Sequence, residues 1–294
     1  MINWQAITQH IQETTNQPFV LRNKYSIGGG CINQAYHLEG ETQDYFIKLN
    51  QSHYSDMFEA EVAGLTALAQ SKTLRVPLPL CCGKTETHSY LVMEYLSLNG
   101  KNNRSSQLLG EQLAMMHQTT QAQFGWYRDN YIGSTAQINT LDNDWGNFWQ
   151  QHRLGFQLAL AARHGYMGQL QRDGERLLAD LHAFFTNYHP KPALLHGDLW
   201  SGNYATDEQG QVVIFDPAIY YGDREADIAM TELFGGFGHD FYAAYNKTSA
   251  LDVGYQTRKT LYNLYHILNH LNLFGGGYLA QSERMISQLL SELY

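Results

Sequence analysis

The apolar positions of the chain change their period once. Over residues 1–18 they recur at helical spacing, with Trp4, Ile7 and Ile11 on one face, and predict a short amphipathic helix. Short β-like segments are predicted at 19–27, 34–38 and 45–49, separated by Gly28-Gly29-Gly30 and Glu39-Gly40-Glu41. A helix is expected from about Asp56 to Gln70, with Met57, Val62, Leu65 and Leu68 as its apolar positions. Val76-Pro77 and Pro79 close it, because a proline drives the residue before it out of helical backbone space. Two further strands are expected near 80–83 and 89–94. Beyond Ser97-Leu98-Asn99-Gly100 the character changes. Helices are predicted at 108–117, 149–163 and 170–188, and an aromatic-rich connection at 123–147. Short buried strands are predicted at 193–195 and 212–215, and mostly helix from Glu225 onward. The pattern predicts a small β-rich lobe, a break near residue 97 and a larger helical lobe, with a ligand cleft between lobes as the default expectation.

Composition narrows the partners. The chain has 294 residues, 44% hydrophobic and 16% charged, which excludes a disordered chain. Acidic residues outnumber basic ones, 28 to 19, for a net charge of −9. That balance argues against nucleic acid and against an anionic membrane surface, since both attract basic faces. It leaves room for a small phosphate ligand, which needs only a local pocket of donors. No apolar run approaches the ~20 residues of a membrane span. Gln9, His10, Gln12 and Glu13 stand where a signal peptide would be apolar, so a cytoplasmic protein is expected. The three cysteines, Cys31, Cys81 and Cys82, do not make a disulfide framework. The thirteen histidines show no metal-ligand spacing, so no zinc site is expected.

The chemistry concentrates in His196-Gly197-Asp198-Leu199-Trp200-Ser201-Gly202-Asn203, followed by Phe215-Asp216 at the end of an apolar run. Asp, Asn and Gly are also ordinary turn residues. The ordered set, however, supplies what phosphoryl transfer from ATP needs: a carboxylate, Asp198, to orient a hydroxyl and accept its proton, and two oxygen ligands, Asn203 and Asp216, for Mg²⁺.

HGDLWSGN followed by IFDP resembles the aminoglycoside phosphotransferase and choline kinase group, relatives of the protein kinases. Within that group the chain is similar to the fructosamine kinase (ketosamine-3-kinase) family. The similarity is carried by GGGCINQAY (28–36), MFEAE (57–61), DNYIGSTAQ (129–137), NDWGNFW (143–149), HGDLWSGN (196–203) and YYGDREADIAM (220–230). It implies an α+β, two-lobed, protein-kinase-like fold. Residues 1–97 would form a small antiparallel sheet with one main helix, carrying the glycine-rich loop and a phosphate lysine. Residues 98–294 would form the mostly helical lobe with the catalytic loop, the metal ligands and the acceptor site. The implied activity uses ATP and Mg²⁺ to phosphorylate the sugar 3-hydroxyl of ketosamines, fructosamine or ribulosamine adducts on amines or protein lysines, a deglycation step. Two alternatives stay open: a kinase of another small alcohol (aminoglycoside, choline or free sugar), and a catalytically inactive nucleotide-binding protein.

The resemblance also assigns individual residues. Gly28, Gly29 and Gly30 would cover the nucleotide, although a plain hairpin reads the same way without the other motifs. Lys48 lies inside the apolar strand YFIKL, where a lysine is costly unless paired; the family role is to hold the phosphates. Its helix partner is expected to be Glu61, with Glu59 as competitor; two residues apart on a helix point to different faces. Met93 would line the adenine pocket, with the Glu94 carbonyl and Leu96 amide pairing with the base. Trp200 would contact substrate. The aromatics of 124–149 could do so too, or simply hold the connection to the helical lobe. Asp223 is expected to cap the following helix. Asp227 and His196 would brace the catalytic loop. Cys31 is either a small residue that fits or a redox-sensitive thiol able to link two chains under oxidation. IFDPA stands where protein kinases have DFG, and there is no APE segment, so activation-loop control is not expected.

Overall fold

The computed structural model describes residues 1–28, 32–101 and 103–293. Gly29, Gly30 and Cys31 therefore lie outside the described residues, and with them two glycines of the expected phosphate loop and the expected redox thiol. The chain forms two compact units, Met1–Lys101 with Ala205–Pro217, and Asn102–Tyr204 with Ala218–Tyr294. The linear reading divides the chain once, after residue 97. Here the segment that ends on Asp216-Pro217 belongs with the N-terminal residues.

In the first unit, α1 (Trp4–Thr15) leads into β1 (Leu21–Ile27), β2 (Gln34–Gly40) and β3 (Tyr45–Gln51), then α2 (Ser55–Gln70), β4 (Pro79–Lys84) and β5 (His88–Glu94). The five strands pair antiparallel in the order β1-β2-β3-β5-β4. Alternation along β3 and β5 explains the core. Tyr45, Ile47, Leu49, Tyr90 and Val92 fall on one face and pack with Leu38, Phe19 and the α1 residues Ile7 and Ile11. Burying Ile7 and Ile11 contributes on the order of 2 kcal/mol each. Asn3 caps α1 by accepting the Ala6 amide at 3.1 Å. On the opposite face Lys48 stands across from Leu91, and Phe46 across from Met93. Phe19, read as strand, precedes β1 and serves the core with its ring. The β2–β3 turn falls after Gly40, not at Glu39.

The second unit begins with α3 (Asn103–Met116). The connection that reads as irregular holds a hairpin, β6 (Asn130–Ile132) and β7 (Thr135–Gln137). Helix then starts at Trp145, earlier than its periodicity predicts, because Asp144 accepts the Asn147 amide at 2.7 Å and caps it. It runs as α4 (Trp145–Trp149), one π-helical stretch (Gln150–Gly155) and α5 (Phe156–Arg163). The helix expected over 170–188 is α6 (Gln169–Ala179) and then a separate 3₁₀ turn, Leu181–Phe185. Two short strand pairs follow along the chain: β8 (Ala193–Leu195) with β11 (Tyr220–Gly222) in this unit, and β9 (Tyr204–Thr206) with β10 (Val212–Ile214), which from Ala205 on belong to the first unit. The chain closes with α7 (Glu225–Leu233), α8 (His239–Thr248), α9 (Tyr255–Phe274) and α10 (Tyr278–Ser291). Helix α9 is buried on most of its circumference and forms the centre of this unit. Phe124, Trp126, Trp145, Phe148 and Trp149 are buried, so these aromatics hold the 123–149 segment in place; Tyr127 is exposed.

Candidate active site

In the first unit the site is a charged triplet. The Lys48 Nζ donates to Glu61 Oε1 and to Asp216 Oδ1, both at 2.5 Å. Glu61 faces Lys48 from α2, while Glu59 is exposed. Lys48 and Glu61 are nearly buried, whereas half of the Asp216 side chain is open to solvent. Burial pushes the Lys48 pKa down, but the charges of Asp216 and Glu61 outweigh it and hold the ammonium protonated, with its pKa raised. Burial raises the Glu61 pKa, and Lys48 opposes that rise. Asp216 has φ +58, a left-handed conformation that a non-glycine residue adopts at a cost and that recurs at functional positions. Gly28 is the one described glycine of its run, with open space where a side chain would stand. Met93 is buried. The Glu94 amide donates to the Leu78 carbonyl, and β5 ends there, so Leu96 follows the strand.

In the second unit a buried carboxylate is held by backbone amides together with a buried histidine. Asp227, from the first turn of α7, accepts the His196 amide at 2.7 Å on Oδ2 and the Gly197 amide at 2.8 Å on Oδ1. Its burial would raise its pKa, but the hydrogen bond and charge of His117, then His196 and the Gly197 amide, leave it lowered. His117 lies 3.2 Å from Asp227 through Nε2 and 2.7 Å from the Tyr245 hydroxyl through Nδ1. The buried His196 accepts the Asp198 amide on Nδ1 at 3.2 Å, and its carbonyl accepts the Ala218 amide at 2.9 Å. Gly197 sits at φ +81, and a Cβ there would collide with the Ala218 carbonyl, so no other residue fits this turn. Asn203 donates its side-chain nitrogen to the Asp198 carbonyl at 2.8 Å and, at 3.3 Å, to Asp198 Oδ2. Its oxygen is then the atom with ligand chemistry. The Trp200 ring, 39% exposed, lies over Gly202, whose missing side chain makes the room.

The DNYIGSTAQ segment supports this loop from beneath. Asn130 donates to the Ile219 carbonyl at 2.7 Å, and Gln137 to the Ala218 carbonyl at 3.0 Å. Asn139 ties Asn130 to the buried Arg153, whose guanidinium lies 4.0 Å from the Tyr220 ring centre. Asp223, expected as a cap, does accept the Glu225 amide at 3.0 Å, but Arg224 is the residue at the helix start. Two hydroxyls, Tyr188 at 2.9 Å and Tyr262 at 2.5 Å, also bind Asp223, and burial, then the charge of Glu225, pushes its pKa up to about 7. His117 escaped the sequence reading: a histidine closing an apolar helix carries no motif, and its partner lies 110 residues away.

Among the described residues no three His, Cys, Asp or Glu side chains gather as a metal cage. Mg²⁺ does not ask for one; it is held by one or two carboxylates together with phosphate oxygens and water. The Asn203 oxygen in the second unit and the Asp216 carboxylate in the first are each hard donors of that type.

A strand lysine paired to a helix glutamate and an Asp-x₄-Asn loop define a kinase-type phosphotransferase. The fold is shared with a gentamicin-bound aminoglycoside phosphotransferase, which superposes with a TM-score of 0.63 at 14% identity, over 100% of this chain and 97% of that one. The chain belongs to the fructosamine kinase family, whose model matches residues 3–292. It is 50% identical over 288 residues to a Synechocystis protein named "Probable ketoamine kinase", covering 98% of this chain and 97% of that one. It is 44% identical over 271 residues to the chloroplastic protein-ribulosamine 3-kinase of Arabidopsis thaliana, covering 91% and 82%. A crystal structure of a Haemophilus somnus "Putative fructosamine-3-kinase" superposes with a TM-score of 0.90 at 29% identity, over 98% and 97% of the two chains.

Proposed function

We propose that the protein transfers the γ-phosphoryl group of ATP to the sugar 3-hydroxyl of a ketosamine, an amine or protein lysine carrying fructose or ribulose. The observation that carries this reading is the completeness of the phosphoryl-transfer set: Lys48 with Glu61 and Asp216 in one unit, Asp198 with Asn203 in the other. The names of the relatives supply the acceptor class.

In this reading Lys48 holds the phosphates, and Glu61 keeps its ammonium in place. Asp216 and the oxygen of Asn203 hold Mg²⁺, which when bound neutralises charge on the phosphate oxygens. Asp198 orients the acceptor hydroxyl and takes its proton late; the Asn203 amide nitrogen fixes the carboxylate's direction. Gly28, Gly29 and Gly30 cover the nucleotide. Met93 lines the adenine pocket, and the Glu94 carbonyl and Leu96 amide pair with the base. The exposed face of Trp200 receives the C–H surface of the sugar or the stem of the amine. His196 and Asp227 hold the loop and transfer no proton. Residues 1–97 carry the nucleotide functions and 98–294 the acceptor functions, apart from Asp216, which joins the first unit. No helix among the described residues is long and apolar enough to cross a membrane, and we assign the activity to the cytoplasm.

The test is a panel of ketosamines, free sugars, choline and aminoglycosides with ATP and Mg²⁺, the product position assigned by NMR. Phosphate on the 3-hydroxyl of fructosamine or ribulosamine is expected. Turnover confined to another alcohol, or none on any acceptor, overturns the reading.

A further inference from the structure

We infer that Arg75 is a positioning residue for the nucleotide: it makes the connector that follows β5 and the β9–β10 hairpin leading to Asp216 a single piece. The inference rests on the nucleotide reading given above and deepens it.

Arg75 stands between α2 and β4 and reaches both ways. Its Nη2 donates to Glu94 Oε2 at 3.3 Å, where β5 gives way to the connector. Its Nη1 lies 3.5 Å from Asp207 Oδ2, in the turn after β9. Its own carbonyl accepts the Ile214 amide at 3.0 Å, two residues before Asp216.

The carboxylates it spans are each fixed by other means. Glu94 Oε1 accepts the Leu78 amide at 2.8 Å. Asp207 is 4% exposed, and its Oδ1 accepts the amides of Gln209 at 3.0 Å and Gln211 at 2.8 Å. Its Oδ2 is buried with no hydrogen bond among the described residues, so the nearby guanidinium compensates its charge. The connector is pinned at its far end to the same turn. The Asn99 amide donates to the Thr206 carbonyl at 2.6 Å, and its side chain to the Asp207 carbonyl at 3.3 Å. Residues 94 and 99 are thus both tied to the pair Thr206-Asp207. Between them, Tyr95 is stacked on His37 of β2, ring centres 3.8 Å apart. A segment whose backbone is to pair with a base is held from three sides, and one of those holds continues through Arg75 into the strand that ends on the Asp216 carboxylate.

A bridge of this kind could serve stability alone, so the test separates the two. Arg75→Met, Arg75→Lys and the double variant Arg75→Met/Asp207→Asn are measured for KM of ATP, KM of the acceptor, ADP affinity by titration calorimetry, and melting midpoint. Arg75→Met raises KM for ATP and the Kd of ADP about tenfold and leaves the acceptor KM within about twofold. It also lowers the midpoint, since Asp207 is left buried without a cation. The double variant removes that charge while its remaining oxygen still accepts the two amides, so the midpoint recovers and the raised KM for ATP does not. Arg75→Lys folds and gives an intermediate KM, because one ammonium cannot span both carboxylates as the planar fork does. If KM for ATP returns with the midpoint in the double variant, or stays at the parent value in Arg75→Lys and Arg75→Met, Arg75 is structural only and the inference falls. A parent protein that binds no ADP instead overturns the nucleotide reading itself.

Discussion

The two units hold the charged residues of the candidate site by different means. Around Lys48 charge is answered by charge: one ammonium is shared by two carboxylates, one buried and one half open to solvent. Around Asp227 a buried carboxylate accepts two amides of the loop that carries Asp198 and is backed by the buried His117. In the proposed reaction these side-chain ion pairs would be exchanged when ligands arrive: Asp216 would trade Lys48 for a metal, and Lys48 would trade Asp216 for phosphate. The hydrogen bonds from the His196 and Gly197 amides instead tie the loop to a carboxylate that is itself buried. In the proposed reaction the nucleotide would rearrange the ion pairs of the first unit, and the second unit would present Asp198.

The largest effect is expected at Asp198, the proposed base. Asp198→Asn lowers turnover by about 10³-fold while ADP affinity stays within about twofold, read by steady-state kinetics and calorimetry. Normal turnover would remove Asp198 from the reaction. Next comes the exchangeable pair. Lys48→Met lowers kcat/KM for ATP by about 10²-fold. Adding Glu61→Gln to Lys48→Met restores the melting midpoint, by removing a buried carboxylate left without its cation, and leaves the activity low. If activity returns as well, Lys48 serves the fold and not the phosphates. Asp227→Asn keeps one acceptor oxygen for two amides; turnover falls roughly tenfold and the midpoint by several degrees, with KM for ATP little changed. A selective rise in that KM would erase the contrast between the units.

The smallest effect is a pH dependence confined to the helical unit. Burial, then the charge of His270, lowers the pKa of His266 to about 3. An unfolded histidine titrates near 6.5, so in the window between these values the unfolded chain binds the extra proton. The contribution of neutral His266 is complete above about pH 6.5 and is lost as pH falls toward 3. His266→Asn therefore flattens the acid side of the midpoint-against-pH curve by a few degrees between pH 6.5 and 4. An unchanged curve would show that the ring is not held neutral.

What the sequence disclosed follows from the range of the interactions. Helices α1 and α2 and strands β3 and β5 were legible because one face of each is apolar at the right period. The Asp198–Asn203 spacing was legible because the two residues lie five positions apart on one loop. The β6–β7 hairpin was not, since Asn130 and Gln137 have the composition of a loop and are buried as internal hydrogen-bond donors. The return of 205–217 to the first unit was hidden as well. It depends on pairings such as Ile214 to Arg75 and Thr206 to Asn99, which join residues more than 100 positions apart and leave no local pattern.

The tilt of Trp200 over Gly202 gives the molecule a usable optical asymmetry. Of its five indoles, those of Trp126, Trp145 and Trp149 are sealed in the interior and Trp4 is half-buried, while Trp200 meets solvent two residues from Asp198. Collisional quenching of tryptophan emission by acrylamide therefore samples that position ahead of the buried rings, so an acceptor seated there would announce itself as shielded fluorescence in the absence of any turnover.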